Sequence, residues 1–447
     1  MPELLDLARK VAASATGDEQ VEVYVSKGRE TSIRAFEGAI EQLSSAESAG
    51  IGVRVISGGR QGFSYVGAIG DSAATEALAA ARDNARFATP DEHAGLATSD
   101  GVPYCELDLW REELSLLPTE AKVALALDVE RLVRAGDKRI RQVVESDYAD
   151  SLGETAIATS TGLEAESRRS GCYLFVHAIA GDGADTQTGY GYSVGRGPGE
   201  LDPAEAATDA VSRSTRLLGA KKARSARVTA VLDGRVTATL LGILSGTLSG
   251  EEVFKGRSLF AGRLGESVGV AGLTLVDDPT NELAYGASPH DAEGLACRRN
   301  SLIDGGVLST YLYDTYAGRL AGTSSTGSAV RGGYRTTPGV GARALSLEPG
   351  TLDQDAIVAK VGEGFLVLSV SGVHSGVNPI SGDFSVGAEG VMIRGGVVAE
   401  PVREVTIAST LQKMLLNVVA VGSDLEWLPG ASSGLTLAID DVSLGGV

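Results

Sequence analysis

The hydrophobic positions near the amino terminus change their period along the chain. Over residues 3–16 apolar side chains recur with a helical spacing, and after that they alternate with polar ones. Alternation of this kind predicts antiparallel strands, here at 21–25, 33–36, 51–55 and 62–66. The run Ser57-Gly58-Gly59-Arg60 predicts the turn between the last two. Helices are predicted at about 73–87 and 118–134, so the region is a strand meander packed on helices.

The strand pattern returns between residues 140 and 195, and a helix follows it. Asp202 and Pro203 give that helix a capping residue and a proline in the first turn. Beyond residue 224 the pattern predicts a strand at 228–232 and a helix carrying an apolar stripe from Val236 to Leu248. Strands and glycine-rich loops follow, with a late helix predicted from Ser409 to just before Gly422.

These elements predict an α+β protein of two domains. Residues 1–222 form an N-terminal domain of antiparallel strands and helices, and residues 223–447 form a C-terminal domain of mostly antiparallel β structure. The proportion of glycine, 59 of 447 residues, fits a chain rich in tight turns.

Charge and cysteine content exclude several classes of protein. The net charge of −19 disfavours nucleic-acid binding, and the short basic run at Lys221, Lys222, Arg224 and Arg227 lacks interleaved aromatics. Three widely spaced cysteines without a Cys-x-x-Cys predict neither a disulfide framework nor a cysteine zinc site. No apolar stretch is long enough to span a membrane. We therefore expect a soluble, cytoplasmic protein with no membrane or nucleic-acid partner.

The histidines predict no metal site in this chain. None of the four lies within four residues of another, so no single helix offers two imidazoles to a metal. His374 begins the densest polar and glycine-rich segment, residues 374–388, which is either a tight hairpin wall or a cleft wall that pairs with an extended peptide. The candidate catalytic residues there are His374 and Asp383, and the candidate substrate-binding residues are Ser375, Asn378, Ser381 and Ser385.

Long ordered motifs in the second half give a resemblance to a known family. The run from 372 to 424 resembles the C-terminal signature of the PmbA/TldE family, in the segments 378–379, 381–388 and 401–408. Further matches lie at 275–279, 291–294, 304–308 and 325–327. The resemblance covers nearly the whole chain.

The resemblance implies one half of a paired enzyme. In this family a TldD-like and a TldE-like subunit together form a cytosolic metalloprotease that trims unfolded or modified peptides. Older naming calls the family modulators of DNA gyrase, which the acidity of this chain makes implausible as direct DNA contact. The TldD-like subunit carries His-Glu-x-x-x-His, which binds zinc.

At the three matching positions this chain has Gly242, Ile243 and Thr247, none of which can bind or activate a metal-bound water. The resemblance therefore implies the non-catalytic, metal-free TldE-like subunit, with zinc in a TldD-like partner.

Two other functions remain open from the sequence. One is a homodimeric hydrolase with its own site, built from His374, Asp383, or His290 with Asp277 and Asp278. The other is a peptide-binding module without a protease partner. Whether this chain is itself an enzyme, and whether it forms a heterodimer or a homodimer, are not decided by the residues.

Overall fold

The computed structural model describes residues 2–447. The first part of the chain holds helices α1 (Pro2–Ala12), α2 (Asp71–Phe87), α3 (Glu112–Leu116), α4 (Thr119–Gly136) and α5 (Pro203–Arg216). Its strands are β1 (Gln20–Phe36), β2 (Ala39–Ser57), β3 (Arg60–Val66), β4 (Ile140–Thr159), β5 (Glu164–Ala180) and β6 (Gln187–Gly195).

These six strands form one antiparallel sheet in the order β3-β2-β1-β4-β5-β6. Several strands are longer than the sequence predicts: the segments 21–25 and 33–36 both belong to β1. The alternation fades between them because β2 is exposed along residues 41–48, where the sheet extends beyond the helices that cover it. Without a buried face, a strand needs no apolar alternation.

Local signals in the first part act as the sequence predicts. Gly58 and Gly59 have φ of 56° and 73°, the left-handed conformation of a tight two-residue hairpin turn between β2 and β3. The Asp202 side chain accepts hydrogen bonds from the backbone N–H of Ala204 and Glu205, which caps α5. Helices α1 and α2 pack on one region of the sheet, and α4 and α5 on another.

The second part of the chain contains shorter elements. Its helices are α6 (Gly234–Thr247), α7 (Gly250–Phe254), α8 (Thr315–Leu320), α9 (Gln354–Val361), α10 (Val373–Gly376) and α11 (Leu411–Leu416). Its longer strands and small pairings are β7 (Ala226–Leu232), β8 (Leu275–Asp277), β9 (Asn300–Asp304), β10 (Val307–Leu308), β11 (Ala329–Val330), β12 (Gly339–Val340), β13 (Leu345–Leu347), β14 (Gly364–Ser371), β15 (Asp383–Arg394), β16 (Val397–Thr410), β17 (Val418–Val421), β18 (Glu426–Trp427), β19 (Ser433–Gly434) and β20 (Leu437–Gly445).

Five of these strands close into a barrel. They run in the order β16-β15-β14-β7-β20, and β16 also pairs with β20, through Ile407 opposite Leu444. Strands β7 and β14 are parallel, whereas the other neighbours in the barrel are antiparallel. Buried side chains of the barrel and of α6 form one large apolar core. The α+β class is confirmed. No helix in the described range 2–447 has the length and apolar character to cross a bilayer.

The late helix is shorter than the sequence predicts. It begins as expected, with the Thr410 side chain accepting a hydrogen bond from the Lys413 N–H, but α11 ends at Leu416. Residues Val418–Val421 form β17 and pair with β20 instead of continuing the helix. Their β-branched side chains favour a strand once a neighbour is available, and the helical spacing of the valines does not outweigh that pairing.

Candidate functional site

Helix α6 carries Gly242, Ile243 and Thr247, the three positions at which the sequence resemblance predicts that metal ligands are missing. It begins after Asp233, whose carboxylate accepts the Arg235 N–H, and it buries Leu240, Leu241 and Leu244 in the barrel-side core. The opposite face of the helix is exposed and bears only small side chains, Thr239, Gly242 and Gly246. A Cβ atom built at Gly242 or Gly246 would meet no other atom within 4 Å.

The three motif positions point in different directions. Gly242 is exposed and Ile243 is half-buried, whereas Thr247 is buried and donates its hydroxyl to the Leu244 carbonyl at 2.7 Å. None of them supplies an imidazole or carboxylate, so this helix does not fit a zinc ion. Within the described part of the chain, no group of three or more His, Cys, Asp or Glu side chains is arranged to hold a metal.

A groove runs beside α6, between the two parts of the chain. A cavity of about 220 Å³ lies there, with Tyr190 of β6, Thr239 of α6 and Ser369 of β14 among its lining residues. Arg235 fixes the contact between α6 and β6. Its guanidinium lies 4.1 Å from the ring centre of Tyr192 and 4.7 Å from that of Tyr190, and it donates to the Tyr190 carbonyl. β6 is the last strand of its sheet, so one backbone edge in this groove has no neighbouring strand.

The glycine-rich segment 374–388 folds back on itself, so that α10 and the following turn pack against the start of β15. A Cβ atom at Gly376 would lie 2.0 Å from the Ser385 carbonyl oxygen, which shows how closely α10 approaches β15. β15 pairs with β16 on one side, and on the other Val377 bridges Phe384 and the Asn378 N–H donates to the Asp383 carbonyl. Both backbone edges at the start of β15 are therefore occupied. The structure adopts the hairpin-wall arrangement and leaves no edge there for an added peptide strand.

Most of the candidate polar residues in this segment build its turns. The Asn378 side chain accepts hydrogen bonds from the backbone of residues 380 and 381. Ser381 donates to the Asp383 carboxylate at 2.6 Å, and Ser375 donates to the Gly372 carbonyl at 3.3 Å. The His374 and Ser385 side chains are exposed and make no hydrogen bond to any other described residue. Roles for these six residues in catalysis or substrate binding stay predictions.

Residues 258 and 259 connect the segment 374–388 to α6 through hydrogen bonds. The Leu259 N–H donates to the Pro379 carbonyl at 3.1 Å, and the neighbouring Ser258 hydroxyl donates to the Thr247 carbonyl at the end of α6. The motif helix and the candidate wall therefore belong to one packed unit, although no candidate side chain of one contacts a motif position of the other.

Three of the alternative hydrolase residues, His290, Asp277 and Asp278, are not joined to one another by hydrogen bonds. His290 is buried, and its Nδ1 contacts the Asp291 carbonyl at 2.9 Å, which makes Nδ1 the protonated nitrogen. Burial lowers the His290 pKa to about 4. The Asp277 carboxylate accepts the backbone N–H of Arg343 and Ala344, and Asp278 accepts hydrogen bonds from Thr280. No described hydrogen bond joins the His290 ring to the carboxylate of Asp277 or Asp278. These three residues therefore do not form a histidine base oriented by an aspartate.

A buried ionic network between the two parts of the chain has only a weak sequence signal. The Glu22 carboxylate lies 2.5 Å from both Arg54 and Arg331, and Arg54 lies 3.3 Å from Glu293. All four side chains are nearly inaccessible. The only local indication of this network in the sequence is Arg54, which lies inside the apolar run 51–56. A guanidinium that is buried with such a strand requires carboxylate partners. Those partners are 32 and 239 residues away.

Comparison with known proteins gives one family. Domain 1, the central domain and the C-terminal domain of the PmbA/TldA metallopeptidases match residues 21–85, 112–218 and 225–446. The chain is 27% identical over 440 residues to Metalloprotease PmbA of Escherichia coli O157:H7, covering 98% of this chain and 94% of that protein.

Solved structures show the same fold along the whole chain. A Bacteroides thetaiotaomicron protein described as a modulator of DNA gyrase superposes with a TM-score of 0.89 at 26% identity, covering 100% of this chain and 99% of that one. TldE from Thermococcus kodakarensis shares the fold with a TM-score of 0.84 at 22% identity, covering 96% and 97%. The strands of the first two matched domains lie in one continuous sheet.

Proposed function

Because the chain belongs to the PmbA/TldA metallopeptidase family, we propose that it is the non-catalytic, TldE-like subunit of a cytoplasmic TldD/TldE-type metalloprotease. The observation that carries this proposal is the chemistry of α6. Gly242, Ile243 and Thr247 stand where the metal-binding subunit has two histidines and a glutamate, and Thr247 points into the core. A TldD-like partner carrying His-Glu-x-x-x-His would supply the zinc.

The bare face of α6 supports a role in enclosing the partner's active site. Gly242 and Gly246 are one turn apart and have open space above them, so another backbone can approach this helix closely. A helix face with glycines at these positions suits a subunit that covers the partner's active site without adding metal ligands to it.

The groove beside α6 supports binding of an unfolded peptide. Apart from the Tyr190 carbonyl, which Arg235 occupies, the edge of β6 can accept an extended chain by backbone hydrogen bonds, a mode of binding that depends little on the peptide sequence. A folded protein has no free strand to present in a groove of this kind. Trimming of unfolded or modified peptides is therefore the activity we propose for the complex, and a PmbA-like homodimer is the alternative assembly.

The test is a cleavage assay on separate and mixed subunits. The partner is a family member from the same genome that carries His-Glu-x-x-x-His, and the substrates are an unstructured peptide and a folded protein. We expect peptide cleavage only in the mixture, loss of activity with a chelator, and no cleavage of the folded protein. Full activity of the partner alone, unchanged by this chain, would refute the subunit role.

A variant pair tests the contribution of α6 to the assembly. Gly242→Trp places a large side chain on the bare face, whereas Gly199→Trp places the same side chain at another exposed glycine with open space around it. We expect the first to lower complex formation or activity at least tenfold and the second to leave both unchanged. Equal behaviour of the two variants would exclude a packed role for this helix face.

A further inference from the structure

A second cavity lies between the first sheet and the second part of the chain. Its volume is about 170 Å³, room for about five water-sized groups. Its inner wall is buried and includes His290 and Asp291, whereas Arg168 and Arg169 on β5 are exposed and place its mouth at the surface. The cavity is separate from the groove beside α6, and the two share no lining residue.

The lining carries far more positive than negative charge. Four arginines line the cavity, at positions 168, 169, 331 and 343. Among the described residues only Arg331 has a carboxylate partner, Glu22, and that carboxylate is shared with Arg54. Arg169 and Arg343 donate only to backbone carbonyls, of Tyr285 at 2.5 Å and Ala329 at 3.0 Å.

The carboxylate in the lining is already engaged. Asp291 accepts backbone N–H groups of Glu293, Leu295 and Ala329 at distances of 2.9, 3.0 and 3.2 Å. It forms no ion pair with any described arginine. Arg168, Arg169 and Arg343 therefore form no ion pair with a carboxylate of the described residues, and an anion in the cavity could pair with them.

Three buried polar atoms of the lining residues also lack partners. The Nε–H groups of Arg331 and Arg343 are buried with no acceptor, and the His290 Nε2 is buried with no donor. Because His290 Nδ1 carries the proton that the Asp291 carbonyl accepts, Nε2 is a lone-pair acceptor. The cavity thus offers N–H donors for anionic oxygens together with one acceptor for a hydroxyl proton.

We propose that this cavity binds a small oxyanion that carries a hydroxyl group, hydrogen phosphate being the simplest case. The guanidinium groups of Arg343 and Arg169 donate hydrogen bonds to the anionic oxygens, and His290 Nε2 accepts a hydrogen bond from the P–OH group. Guanidinium groups suit such oxygens because their N–H donors form a planar fork. Sulfate has the same shape but no proton at neutral pH, so the acceptor nitrogen would remain unpaired with it.

The test is isothermal titration calorimetry of the full-length protein in phosphate-free buffer at pH 7.5. Titrants are inorganic phosphate, sulfate and O-phosphoserine. We expect saturable binding of phosphate and at least tenfold weaker binding of sulfate. Binding of phosphoserine would identify a phosphoryl group on a larger molecule as the source, and its exclusion would identify the free ion. Both outcomes support the site.

Arginine variants locate the binding. Arg343→Gln and Arg169→Gln should each weaken phosphate binding at least tenfold. The control is Arg299→Gln, which removes an exposed arginine that pairs with Glu348 and does not line the cavity. Thermal unfolding shows which variants fold, and the exposed position of Arg169 keeps the test available if Arg343→Gln does not. No saturable heat with the wild type, or equal affinity in the wild type and Arg169→Gln, would overturn the proposal.

Discussion

Arg331 and Glu22 lie 309 residues apart in the chain, and their side chains form a buried ion pair with 2.5 Å between Nη2 and Oε1. Arg331 also lies over the ring of Tyr24, 4.5 Å from its centre. The other oxygen of Glu22 contacts Arg54, so this one carboxylate pairs with a guanidinium from each part of the protein. The pair fixes how the first sheet and the second part of the chain meet.

Replacing Glu22 should destabilise the fold strongly. Glu22→Gln leaves Arg54 and Arg331 buried with one carboxylate fewer, and breaking a buried pair in this way costs about 3–5 kcal/mol. Urea denaturation measures the loss. The control Glu47→Gln removes an exposed carboxylate on β2 and should change the free energy of unfolding by less than about 0.5 kcal/mol. Equal stability of the two variants would contradict the importance of the network.

The stability of the protein should depend on pH through Asp277. Burial raises the pKa of this carboxyl to about 6, against two opposing backbone hydrogen bonds. Between pH 4 and 6 the folded state therefore binds more protons than the unfolded state, and stability falls as pH rises. Asp277→Asn keeps an acceptor oxygen without the charge.

The free energy of unfolding of this variant should rise relative to the wild type by up to about 3 kcal/mol between pH 4 and 7. Urea denaturation at the two pH values measures the difference. Asp304→Asn, at an exposed position, should show no such trend. An Asp277→Asn difference that stays constant with pH would contradict the raised pKa.

In the segment 374–388, replacing His374 should lower the stability of the fold less than replacing Gly382. Gly382 has a φ of 82°, and a Cβ atom there would lie 2.0 Å from the Gln412 side-chain oxygen. Gly382→Val should therefore lower the free energy of unfolding by about 2–3 kcal/mol, from backbone strain and the clash.

His374→Ala should cost less than about 0.5 kcal/mol because the side chain is exposed. Gly199→Val, which has neither a positive φ nor a neighbour within 4 Å, is the matched control for the glycine change. Chemical denaturation of all three variants tests the order. If His374→Ala keeps the fold but abolishes activity of the complex, the histidine has a functional role.

Restoring the motif residues should not create a zinc site. In the variant with Gly242→His, Ile243→Glu and Thr247→His, the third change buries an imidazole in place of a threonine that is 1% exposed. Overpacking of this kind costs about 1–3 kcal/mol, and the new side chain would face the core, away from position 242. Elemental analysis should find no stoichiometric zinc in the wild type or the triple variant. About one tightly bound zinc per wild-type chain would refute the metal-free assignment.

Local chemistry accounts for most of what the sequence predicts correctly. Gly58 and Gly59 specify a hairpin turn, and Asp202 and Thr410 cap helices through side-chain oxygens a few residues from their partners. Gly387 does not have a positive φ; it lies within β15, where a Cβ atom would be 2.5 Å from the Ser371 hydroxyl.

The sequence by itself determined the family resemblance, the residues at the motif positions and most of the helices and strands, the last because local preferences depend on neighbours along the chain. Only the tertiary structure decided that β16 pairs with β20 to close a barrel, that 418–421 is a strand, and that Glu22 neutralises Arg331. Those outcomes depend on contacts between segments that are distant in sequence, whose free energy outweighs local preference once a partner is near. The gathering of Arg169, Arg331 and Arg343 around one cavity is also decided by the tertiary structure, since these residues are distant in sequence.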